Sequence, residues 1–109
     1  DDNEAIFYKS YAIGNTGDYA AAKDVVSKYI LKDQTNKFAY NNRGYYNKML
    51  SMWNEAITDY TSAIKLDRNF VLAYQGRAPV YCFKNLKGLA RLDEKKLVEL
   101  GQKVDTPCQ

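Results

Sequence analysis

Cys82 and Cys108 are the two cysteines of this 109-residue chain, and the chemistry open to them is oxidation to a disulfide. Cys82 falls near the end of a predicted fifth helix and Cys108 in a short C-terminal tail, a spacing unlike that of metal sites. From the level of Leu100, near the start of the fifth helix, Cys82 lies about eleven residues away, or roughly 17 Å at the helical rise. The tail, 102–109, reaches roughly 26 Å when extended. A disulfide pinning the tail across the last helix pair is therefore within reach, with two unpaired thiols as the alternative. Pairing implies an oxidising compartment, periplasmic or secreted; without it the cytoplasm is the expectation. Asp1 in place of methionine fits either removal of an export signal or a trimmed chain.

Other reactive chemistry is sparse. The chain has no histidine, so the commonest general base and the usual partner of a nucleophilic Ser or Cys are missing. Its glycines are scattered at turns and helix contacts, without a Gly-rich strand-to-helix loop to cradle phosphate. Asp and Glu fall mostly at predicted helix starts and on solvated faces. An enzyme, a metal site and a cofactor are not expected. Net charge is +3, running from −2 over residues 1–36 (four basic, six acidic) to +3 over 71–109 (seven basic, four acidic). Lys84, Lys87, Arg91, Lys95 and Lys96 read first as a solvated cap, and second as a basic end able to touch an acidic polymer. Specific nucleic-acid recognition needs a denser stripe with base-reading groups and is not expected. No apolar run approaches the roughly 20 residues that span a bilayer.

The elements that position these residues recur with a period of 34: Ala22, Ala56 and Ala90 coincide, as do Ile30, Ile64 and Val98, and Asp33 and Asp67. Such a period marks a solenoid of stacked helix pairs. The pattern predicts six helices at 3–15, 19–32, 37–49, 53–66, 71–84 and 87–100, with Asp2 or Asn3 capping the first, a polar connection at 33–36, and Gly101 stopping the last. Small residues at Gly44 and Ala56 let paired helices approach, while Tyr40, Tyr60 and Ile64 fill the grooves between them. Pro79 conflicts locally. It removes a backbone bond at a cost of roughly 3 kcal/mol, and with Gly76 predicts a kink or restart.

The stretch Ala39-Tyr40-Asn41-Asn42-Arg43-Gly44-Tyr45-Tyr46, followed by Trp53-Asn54-Glu55-Ala56 and the run to Asp67, resembles the tetratricopeptide repeat. So, less fully, do Asn15-Thr16-Gly17-Asp18-Tyr19 with Ala22, and Ala73-Tyr74-Gln75-Gly76-Arg77-Ala78. The resemblance implies an all-α, right-handed solenoid of three antiparallel helix-turn-helix repeats at 3–36, 37–70 and 71–104 in one domain, with a tail at 102–109. Arg91, Glu94, Lys95 and Lys96 then form a polar end cap. Because the extra helix that often closes such arrays is missing, some apolar end surface is expected to stay exposed.

The resemblance also implies a non-enzymatic module that holds a protein or peptide segment on the concave face formed by the first helix of each pair, as adaptor or scaffold. The implied groove residues are Phe7, Tyr8, Tyr11 and Asn15, then Phe38, Asn41, Asn42, Tyr45, Lys48 and Met49, then Gln75, Pro79 and Cys82. About half of the aromatics are expected to serve packing between repeats instead. The lining suits a neutral peptide, because amides can bond both donors and acceptors of a backbone. Family members that hold chaperone C-termini use a clamp of Lys and Asn, then Asn, then Lys and Arg. Only Asn42 matches it; Phe7 and Tyr11 replace the first pair and Leu72 and Gly76 the last, so chaperone binding is not implied. The alternative reading is a self-associating structural protein, a homo-oligomer that buries its exposed end.

Overall fold

A computed structural model describes residues 2–109; Asp1, on which the reading of a removed export signal turns, lies outside them. The helices are α1 (Asp2–Asn15), α2 (Tyr19–Lys32), α3 (Lys37–Met49), α4 (Trp53–Leu66), α5 (Val71–Phe83) and α6 (Lys87–Glu99), in the order and near the bounds that the sequence predicts. The chain is already helical at Asp2, so Asp2 and Asn3 sit in the first turn of α1 and not ahead of it as its cap. Asp18 caps α2 by accepting from the Ala21 N–H at 3.2 Å. Asn36 caps α3 by accepting from Phe38 N–H at 2.9 Å and Ala39 N–H at 3.3 Å.

The turn inside each pair repeats in detail. Gly17, Ser51 and Asn85, each 34 residues after the last, are all left-handed, with φ of 90°, 59° and 62°. In the second and third turns the chain then closes back, Met52 N–H on Asn47 C=O and Leu86 N–H on Tyr81 C=O. Glycine accepts this conformation freely, whereas Ser51 carries a Cβ against the following carbonyl. Ser51→Gly is expected to raise stability by about 1 kcal/mol, measurable as a higher thermal midpoint.

Each helix packs on its chain neighbour, and α1 touches α3 as α3 touches α5, but α2 does not reach α4 nor α4 reach α6. The first helices of the pairs therefore close up on one face while the second helices fan apart on the other, which curves the stack. Its extents are 42 × 25 × 19 Å. The core forms two clusters, one around Val26, Tyr29 and Tyr46 and one around Tyr60, Tyr74 and Leu97, joined through the partly buried Tyr40. Close approach depends on glycine. A Cβ at Gly44 would lie 3.0 Å from the Tyr60 ring, and one at Gly76 only 2.4 Å from it.

Helix α5 runs unbroken through Pro79, so the expected restart does not occur. Pro79 and Gln75, whose carbonyl loses its partner, both lie on the exposed side, where water can replace the missing bond.

Asp33 and Asp67 end α2 and α4 with extended backbones at φ −143° and −148°. Asp33 accepts from the Thr35 hydroxyl and N–H and from the Tyr29 hydroxyl, and these bonds, those of Thr35 foremost, hold its carboxyl below the usual range. Asp67 is held below its usual range by the Lys37 ammonium, 2.5 Å away, and then by the Asn69 N–H. Both folded pKa values lie under the unfolded one. Their contribution is therefore complete above the ordinary aspartate pKa of about 3.9 and lost as pH falls through the lower folded values. Thermal midpoints should drop below about pH 4, less steeply in Asp67→Asn, and a carboxyl NMR titration should find both midpoints depressed.

Candidate functional site

The first helices bring their facing side chains into one open recess of about 540 Å³. Tyr11 and Asn15 come from α1, Asn41, Asn42, Tyr45 and Lys48 from α3, and Leu72 and Gln75 from α5, over a floor that includes Tyr46 and Tyr60. The register explains why. Residues 41, 42, 45 and 48 fall on one stripe of a helix with 3.6 residues per turn, and the recess takes the later part of the matching stripe from α1, Tyr11 and Gly14, and the earlier part from α5, Gln75 and Gly76.

The recess has little charge of its own. Burial pushes the phenols of Tyr46 and Tyr60 up, so both stay neutral. Lys48 is the single ionic group in the lining, its ammonium 5.4 Å from the Tyr45 ring centre and its pKa lowered by desolvation. No acidic side chain lines the recess, and Lys48 has no ion pair among the described residues. Beside it the Asn41 Oδ1 is buried without a hydrogen-bond partner. Tyr11 and Tyr45 present 52% and 40% of their surface to solvent. The site offers an unpaired cationic donor, amides of both polarities and open aromatic faces.

Seven of the expected groove residues thus meet here, and the rest do not. Phe7, Tyr8 and Phe38 line a separate recess with Tyr29, Asp33 and Asn36. There Phe7 packs on Tyr29 at 5.2 Å between ring centres, and Phe38 stands edge-on to Phe70 at 5.3 Å, so both rings pack within their own repeats. Met49 is exposed and borders neither recess. Pro79 and Cys82 line a third space at the C-terminal end.

A set of ion pairs on the fanned-out side escaped the reading of acidic residues as solvated. Asp59 and Asp93 are buried, at 4% and 3% exposure. Arg43 reaches from α3 between α2 and α4, donating Nε and Nη2 to the two oxygens of Asp59 at 2.9 and 2.8 Å and Nη1 to the Ser27 hydroxyl at 3.3 Å. Arg77 repeats this one period later with Asp93 at 2.9 and 2.7 Å and with Thr61 at 3.0 Å. The signal was available, since Ser27 and Thr61, Arg43 and Arg77, and Asp59 and Asp93 all stand 34 apart. The forked, two-bond geometry fixes each arginine to the second helix of its own pair, and the third bond, to Ser27 or Thr61, reaches the second helix of the preceding pair, which that helix does not otherwise touch.

The end of the array also departs from expectation. Glu94 is not a free capping charge, because its Oε2 accepts from the Cys108 N–H at 2.7 Å. Cys108 is buried and bonded to Cys82, with Cα atoms 5.6 Å apart. The tail thus crosses the last helix pair as a strap, with Val104 packed against the core. Leu89, Leu92 and Val98 remain exposed at 44%, 63% and 61%.

No family model matches the sequence. The human DnaJ homolog subfamily C member 7 is 36% identical over 69 residues, covering 60% of this chain and 14% of that protein, and the mouse protein matches equally. The chain therefore spans about a seventh of the length of these relatives. Among solved structures, the Arabidopsis OM64 TPR domain superposes with a TM-score of 0.87 at 23% identity, covering 94% of this chain and 85% of that one. The first TPR of Spaghetti (RPAP3), bound to the HSP90 peptide SRMEEVD, gives 0.86 at 23% over 90% and 78%. The Yersinia enterocolitica type III secretion chaperone SycD, in complex with a peptide of the translocator YopD, gives 0.86 at 16% over 89% and 74%.

Proposed function

This chain is a three-repeat array of the tetratricopeptide-repeat fold, and from that premise we propose that it is a non-enzymatic protein-interaction module holding an extended, largely uncharged peptide segment in the recess between α1, α3 and α5. The observation that carries this is the gathering, in one open recess, of the unpaired ammonium of Lys48 with the amides of Asn41, Asn42 and Gln75. A peptide backbone supplies N–H groups for the amide oxygens and carbonyls for the amide N–H groups and Lys48 in one ligand. Tyr11 and Tyr45 add rigid contact area at small entropic cost. Several proteins of this fold are bound to peptides in their solved structures, ending in Glu-Glu-Val-Asp in the RPAP3 cases. Here Leu72 and Gly76 occupy the third-repeat positions where that clamp would need cations, and Lys48 alone gives weak grip on an acidic tail. An adaptor role follows from this reading, in which the curved stack presents one bound segment.

The test is affinity capture from the native source with wild type beside Tyr11→Ala/Asn42→Ala/Tyr45→Ala, followed by mass spectrometry. A partner lost only with the variant supports the recess; partners retained equally by both move the function to another face. A second reading is favoured by the exposed Leu89, Leu92 and Val98: self-association through the last helix. Sedimentation of wild type beside Leu92→Glu decides it, a dimer dissolved by the substitution supporting the reading and a monomer throughout removing it.

A further inference from the structure

We infer that the cavity beneath the C-terminal strap is a specificity pocket for one apolar side chain of the extended peptide held in the concave recess; the inference rests on the reading of that recess given above. The cavity holds about 430 Å³ between α5, α6 and the strap, within the roughly 300–1,000 Å³ of small ligand sites. The walls combine Ala78, Pro79 and Cys82 on α5, Leu97 on α6 and Val104 on the strap with the polar Lys103, Asp105 and Thr106 of the strap; apolar surface predominates, which favours an apolar group. Glu94 also lines it, but one of its carboxylate oxygens is occupied by the Cys108 N–H.

Two features identify the occupant as part of a peptide running along the concave face. Gln75 lines both the central recess and this cavity, so a chain leaving the recess past Gln75 arrives at the cavity mouth. The strap segment 103–107 is non-helical and makes no backbone hydrogen bond among the described residues. Residues 103–106 keep N–H and C=O groups without a backbone partner among the described residues, Pro107 having no N–H, and an extended segment can pair with them, which a compact small molecule would leave unused. The Cys82–Cys108 bond holds the end of the strap to α5, and thereby holds Val104 and the cavity wall in place.

A random ten-residue peptide display library selected on the oxidised wild-type chain provides the test, with binding of each selected peptide then compared in two variants. Cys82→Ala/Cys108→Ala frees the strap, and Val104→Lys keeps the bond but places a cation in the cavity. The expected consensus contains one fixed Leu, Ile, Met or Phe whose replacement by Ser weakens binding to wild type about tenfold or more. The same replacement should change binding to either variant less than twofold. Circular dichroism confirms that the variants are folded; if the double cysteine variant is not, Val104→Lys alone decides. Peptides that need Asn42 and Tyr45 but show no fixed apolar position, or one indifferent to both variants, overturn the pocket and leave the recess standing. Peptides indifferent to Asn42→Ala/Tyr45→Ala, or no enrichment at all, overturn the recess and the pocket with it.

Discussion

Asp59→Ala is expected to cost about 3–5 kcal/mol, a fall in thermal midpoint of roughly 15 °C or more for a domain of this size. Asp59 is buried and accepts from Arg43 twice and from the Asn47 amide at 2.8 Å. Removing it strands a guanidinium between α2 and α4 with no carboxylate, only the Ser27 hydroxyl and the Tyr40 ring. Because domains of this kind are stable by roughly 5–15 kcal/mol, the change removes a large share of what holds the chain folded. Asp59→Asn keeps the shape and some of the bonds and should cost less. Exchanging both partners for apolar groups removes the stranded charge, but Arg43→Met/Asp59→Leu still orphans the Asn47 amide and should recover only part of the loss. The third repeat makes the cleaner comparison. There Tyr81 stands at the Asn47 position and packs against Arg77, 5.2 Å from the guanidinium carbon to the ring centre, so Arg77→Met/Asp93→Leu should recover more. Equilibrium denaturant unfolding of the single and double variants measures each difference.

The second large effect is at the other side of the same helix. Tyr60, 1% exposed, lies between Gly44 of α3 and Gly76 of α5. Tyr60→Ala empties that space and is expected to cost about 3–5 kcal/mol, as large-to-small aromatic changes in cores do. Gly76→Ala in the wild-type background should cost about 1–3 kcal/mol by overpacking, since its new methyl would lie 2.4 Å from the Cε1 and Cζ atoms of Tyr60. Once Tyr60 is alanine that clash is gone, and Gly76→Ala should become neutral or stabilising, helped by alanine's higher helix propensity. Unfolding free energies around this cycle should be strongly non-additive; simple additivity would mean that the ring and the glycine do not share the contact.

The fold was legible because one packing solution repeats. A period of 34 with alanines in register reports a helix contact made again and again, and a backbone that curves the same way at each step. The stripe of Asn41, Asn42, Tyr45 and Lys48 was legible for the same reason, since helical spacing places those residues together whatever their partners. Phe7 and Phe38 lie outside the recess because the stacking of a ring depends on residues more than twenty positions away in the same repeat, and only the tertiary structure shows Tyr29 and Phe70 against them. Asp59 and Asp93 were misread because charge was judged residue by residue, although their 34-residue register with Arg43 and Arg77 was present. The restart allowed at Pro79 does not occur, because an intrinsic helix cost on an exposed face yields to the packing of Ala78 and Val80 on either side. The strap could be reached from chain length alone, but the cavity under it depends on where Val104 and Leu97 leave space.

The most direct measurement of the central claim is the dissociation constant of a library-selected peptide for wild type, for Asn42→Ala/Tyr45→Ala in the recess, and for Glu55→Ala/Thr58→Ala on the fanned-out face. The account predicts a loss of about tenfold or more for the recess variant, from the amide bonds and aromatic area removed, and a change under twofold for the other. An unchanged constant in the recess variant, with a loss confined to the Glu55 and Thr58 variant, would contradict it.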